Sequence, residues 1–85
     1  MKLFVANIAF AASEEVVREL FQQIGPLKRL YLATDRDGKS RGFGFIEYED
    51  PLDATRALDD LHGKELMGRR LIVMESEERI KNYGK

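Results

Sequence analysis

The chain has 85 residues, room for one small domain whose core can bury only roughly 60–65% of the unfolded surface, which excludes an active site enclosed between domains. It has no cysteine and one histidine, which excludes a disulfide framework, a thiolate nucleophile and CxxC-type metal sites. Charged residues at 34%, apolar residues at 44% and a net charge of −1 describe an ordinary folded domain, and no apolar run approaches the ~20 residues of a membrane span. With no signal-peptide stretch at the start, the expectation is an intracellular protein, nuclear or cytoplasmic, with no membrane partner, no metal and no cofactor.

Lys2 to Asn7 alternates around Val5 and reads as a strand. Ser13 suits a helix N-cap, and Glu14 and Glu15 follow where the helix dipole favours acids. Val17, Leu20, Phe21 and Ile24 then recur at helical spacing until Gly25-Pro26 ends the helix. Leu27 to Ala33 is a second strand, Asp37-Gly38 a hairpin turn, and Gly42 to Tyr48 a third strand rich in aromatics. Asp50 and Pro51 open a second helix with a buried stripe of Ala54, Ala57, Leu58 and Leu61, and Gly63 ends it. His62 falls at that helix end, in a surface or cap role. Arg70 to Glu75 is the last strand, so the domain spans positions 1–75. Positions 76–85 form a polar tail, frayed or a short extra helix, in which Ile80 and Tyr83 could dock on the sheet.

This order, β-α-β-β-α-β, predicts an α+β ferredoxin-like sandwich: a four-stranded antiparallel sheet with both helices on one face and the other face open. Strand parity sorts the side chains. Leu3, Val5, Leu30, Leu32, Gly44, Ile46, Tyr48, Leu71 and Val73 point under the helices. Lys2, Phe4, Ala6, Arg29, Tyr31, Phe43, Phe45, Glu47, Arg70, Ile72 and Met74 point outward. Gly44 decides the parity of the third strand, since a residue without a side chain suits the close approach of a helix. An apolar patch of this size on a soluble domain calls for a ligand.

Charge divides in the same sense. Positions 14–24 and 49–62 hold eight acids against two bases, Arg18 and Arg56, while the remainder holds twelve bases against seven acids. Rings beside cations are what a single-stranded nucleic acid needs: bases stack on the rings and cations neutralise phosphates. A double helix, its bases already stacked, does not fit such a face.

Arg41-Gly-Phe-Gly-Phe-Ile-Glu-Tyr48 resembles the octapeptide signature of the RNA recognition motif family, and Leu3-Phe-Val-Ala-Asn-Ile8, separated from it by 32 residues, resembles its partner hexapeptide. The resemblance covers positions 2–75. It implies single-stranded RNA as partner, with Phe4 and Phe45 each stacking a base, Phe43 against the sugars and Arg41 on a phosphate. Tyr31, Lys2, Arg29, Arg70 and Met74 are further candidates around those four. Two to four nucleotides on the sheet and micromolar affinity are expected. Single-stranded DNA, which also stacks, and a protein bound on the acidic helices are the alternative partners. Small phosphatases share the element order, but the loop Ile8-Ala-Phe-Ala-Ala12 lacks an arginine or a glycine-rich cradle, so no enzyme is expected.

Overall fold

Alternation and capping act where the sequence places them. A computed structural model describes residues 2–76. Its elements are β1 (Lys2–Ala6), α1 (Glu14–Gln22), β2 (Leu27–Thr34), β3 (Ser40–Tyr48), α2 (Pro51–Leu61), β4 (Glu65–Leu66), β5 (Arg69–Arg70) and β6 (Ile72–Glu75). The Ser13 hydroxyl accepts a hydrogen bond from the Val16 N–H at 3.2 Å, and the Asp50 carboxylate accepts one from the Leu52 N–H at 3.0 Å, so both helices begin on a side-chain cap.

The main sheet runs β2-β3-β1-β6 with antiparallel neighbours. Both helices lie on one of its faces. Leu3 and Val5 of β1, Ile46 and Tyr48 of β3 and Val73 of β6 share a single core with Val17, Leu20 and Phe21 of α1 and Ala54, Ala57 and Leu61 of α2. Tyr48 carries the one hydroxyl in that cluster and donates it to the Phe21 carbonyl at 2.7 Å. Burial drives the Tyr48 phenol well above its ordinary pKa, and the negative charge of Asp53 pushes the same way.

The expected parity holds on β1, β3 and β6, but the reason given for Gly44 does not. A Cβ at Gly44 would run into the backbone of β2, first of all the Tyr31 carbonyl oxygen. The glycine therefore answers to the neighbouring strand, not to a helix. Asp37-Gly38 lies in a longer turn than a bare two-residue hairpin: the Asp35 carboxylate accepts from the N–H groups of both Asp37 and Lys39, at 2.9 and 3.0 Å.

The end of the chain differs most from expectation. The last strand of the sheet starts at Ile72, not Arg70, and a small hairpin, β4–β5, precedes it. The backbone of Leu71 is already committed to the residues after α2, its N–H donating to Lys64 at 2.9 Å and its carbonyl accepting from Gly63 at 2.7 Å. Arg70 is therefore held off the sheet, opposite Glu65. Met67 and Gly68 form the hairpin turn with φ of 52° and 91°, and that left-handed conformation strains a residue like Met67. His62 is the exposed C-cap of α2, as expected, and its Nδ1 also accepts a hydrogen bond from the Val73 N–H of β6 at 3.0 Å. The earlier suggestion that Ile80 and Tyr83 dock on the sheet lies outside the described residues.

Candidate nucleic-acid interface

Strand register lines up the open face. Phe4 lies opposite Phe45 of β3 on one side and Met74 of β6 on the other, and Phe45 lies opposite Tyr31 of β2. The result is one transverse row, Tyr31–Phe45–Phe4–Met74, crossing all four strands. The Phe4 and Phe45 centroids are 5.4 Å apart, Phe4 and Phe43 are 5.9 Å apart, and Tyr31 stacks with Phe45 at 6.4 Å and 23°. These spacings lie in the range where ring pairs attract, so each ring fixes its neighbours before any ligand arrives. The three phenylalanines are half-buried, while Tyr31 is 58% and Met74 48% exposed.

A row of charges runs alongside. Lys2 and Arg29 both lie opposite Glu47. Arg29 Nε is 3.4 Å from Glu47 Oε1, a solvent-exposed ion pair that offsets part of its charge. Lys2 Nζ sits 5.8 Å from the centre of the Phe45 ring, and the Arg41 guanidinium 5.5 Å from that of Phe43. Both cations border the rings on which bases would stack. Of the nine residues singled out from the sequence, the structure brings together Phe4, Phe43, Phe45, Tyr31, Met74, Lys2 and Arg41. Arg29 is there but paired, and Arg70 lies on β5, outside the row.

Among the described residues, no group of three or more His, Cys, Asp or Glu side chains could hold a metal ion, and no helix is long and apolar enough to cross a membrane.

Residues 3–72 match the family model of the RNA recognition motif. The chain belongs to that family. This RNA recognition motif is 42% identical over 77 residues to Multiple RNA-binding domain-containing protein 1 of Saccharomyces cerevisiae, a match covering 91% of the chain and 9% of that protein. It is 38% identical over 88 residues to human Cleavage stimulation factor subunit 2, covering 96% of the chain and 15% of the relative. The chain thus spans a small part of these curated relatives. Among solved structures it is similar to RNA binding protein PG1, with a TM-score of 0.85 and 45% identity, covering 93% of this chain and 96% of that one. The motif of Rna15 with bound RNA (GU) has the same fold, with a TM-score of 0.85, 24% identity and coverage of 99% and 97%.

The sequence reading passed over Phe10 and Arg69 at one end of this motif. Phe10, in the β1–α1 loop, is 72% exposed, more than any other large apolar side chain in the described core and loops. Its ring lies over Gly42, where an added Cβ would come within 2.9 Å of Phe10 Cε1 and where φ of +84° already favours glycine. Arg69 donates to the Asn7 side-chain oxygen through Nε at 3.0 Å and Nη2 at 2.6 Å. Asn7, itself left-handed at φ 58°, donates from Nδ2 to the Arg70 carbonyl at 2.7 Å. Periodicity could not have found this cluster, because its members lie in a loop, at a strand end and in a two-residue strand. An aromatic ring in a loop directly after the hexapeptide was the available signal.

Proposed function

We propose that this chain binds a short single strand of RNA across the open face of its sheet, about two to four nucleotides long. What carries the reading is the transverse row Tyr31–Phe45–Phe4–Met74 with Phe43 beside it, four rings and a thioether side by side on the side of the sheet away from the helices. Phe4 and Phe45 each stack a base, Phe43 lies against the sugars, and Arg41 and Lys2 neutralise phosphates. Membership of the RNA recognition motif family and the RNA-bound Rna15 neighbour support the same ligand class. Two base stacks give a gross gain of roughly 2–6 kcal/mol, to which the sugar and phosphate contacts add and from which the cost of ordering a flexible strand is subtracted, so affinity is expected in the micromolar range. With two or three phosphates neutralised, log affinity falls against log salt with a slope of about −1.4 to −2.1.

The test is a nitrogen–proton NMR titration with a short random-sequence RNA and the matching DNA. Shifts concentrated on β1, β3 and β6 that are larger for RNA are the expected result. Equal response to DNA would widen the ligand class, and no response at millimolar ligand would sink the reading.

A further inference from the structure

We propose that the recess between Phe10 and Arg69 is a separate one-base subsite, taking the nucleotide that steps off the sheet beyond Phe4 and Phe43. This rests on the RNA-binding reading above and extends it past the strands. The recess has a volume of about 380 Å³, at the lower end of the roughly 300–1,000 Å³ typical of small-ligand sites. Phe4 and Phe43 form its inner side, so it is continuous with the stacking row, and Phe10, Arg41 and Arg69 form its outer side. No acid lines it among the described residues.

Each wall is built for a planar, anion-linked ligand. Phe10 is backed on one side by Gly42 and remains largely exposed, which leaves ring surface for a base. The Arg69 guanidinium is held by two bonds to one Asn7 oxygen, so the side chain is oriented in advance. A guanidinium has five N–H donors in a planar fork, more than one amide oxygen can take, and such a fork suits a base edge or a phosphate. The groove on the opposite flank of Phe10 is larger, about 740 Å³, yet Glu14 and Asp35 line it against one lysine, Lys39. That groove carries no excess of cations, whereas the recess has two arginines and no acid, so a phosphate chain leaving Phe43 is favoured on the recess side. Phe10 thus divides an acid-lined groove from a cationic one, and the strand takes the cationic side.

The experiment measures binding of the full chain to random-sequence oligoribonucleotides of three, four, five and six nucleotides. In the unchanged protein one added nucleotide raises affinity about 5- to 100-fold as the subsite fills. Phe10→Ala abolishes that step and leaves the shorter oligonucleotides bound within about twofold. Asn7→Gly retains the left-handed backbone and releases Arg69, and it reduces the step several-fold. Phe10→Trp keeps the step, and because the sequence contains no tryptophan, its indole fluorescence is quenched only by oligonucleotides long enough to reach it. An undiminished step in Phe10→Ala overturns the proposal. So does an equal loss at every length, which would make Phe10 a support of the sheet. Phe45→Ala separates the two readings: if it weakens every oligonucleotide while the step is absent from the unchanged protein, only the subsite fails. If no oligonucleotide binds the unchanged protein, both fail together.

Discussion

The two faces of the same sheet solve opposite problems with neighbouring residues. On β3, Gly44, Ile46 and Tyr48 are buried under the helices, while Phe43 and Phe45, one position away, stay half-exposed. The inner face has closed its accounts with protein atoms: its hydroxyl is bonded, and no buried side-chain nitrogen or oxygen among the described residues lacks a partner. On the outer face the rings meet one another and cations. Substitutions should therefore separate into those that unfold the domain and those that only disarm it.

The largest effect expected is on the inner side. Phe21→Ala empties a fully buried position and should cost about 3–5 kcal/mol, a large share of the stability of so small a domain, visible as a collapse of the melting temperature. One layer away, Phe45→Ala should leave the melting temperature within a few degrees and weaken RNA binding by about 1–3 kcal/mol in a titration. If the two variants behaved alike, the separation of the faces would be wrong.

Tyr48→Phe tests the inner face more finely. It removes one hydrogen bond from the Phe21 carbonyl, which keeps the one from the Ile24 N–H, and should cost about 0.5–1.5 kcal/mol, read by thermal or denaturant unfolding. The phenol pKa is raised on folding, so its contribution is complete below about pH 10 and is lost as pH climbs through the folded value. The Tyr48→Phe variant should show the shallower alkaline decline. On the outer face, Glu47→Gln frees Arg29 and removes a negative charge from beside Lys2, and binding should tighten about two- to threefold at low salt, less at high salt. The smallest effect lies off both faces: Met67→Asn relieves a left-handed strain and should raise stability by about 0.5–1 kcal/mol with RNA binding unchanged.

The sequence was most legible where a side-chain period and a capping residue acted together. The order of the elements, both N-caps and the outward direction of the rings follow from alternation and from Ser13 and Asp50. What stayed hidden depends on register or on local backbone shape. The pairing of Arg29 with Glu47 needs β2 aligned on β3, with register shifts between Leu27 and Arg29 and between Leu32 and Thr34 that no period encodes. The displacement of Arg70 comes from a hairpin whose strands are two residues long and whose turn carries methionine where asparagine or glycine would have signalled it. Gly44 was read correctly for direction and wrongly for cause, because a missing side chain does not say which neighbour needs the space.

A sheet that ends in an unpaired strand invites another chain to extend it, and β6 is such a margin. His62 occupies the outward Val73 amide there, closing a donor that an incoming strand would otherwise use. The lone histidine thus blunts one position in the row of edge donors that an added strand would need.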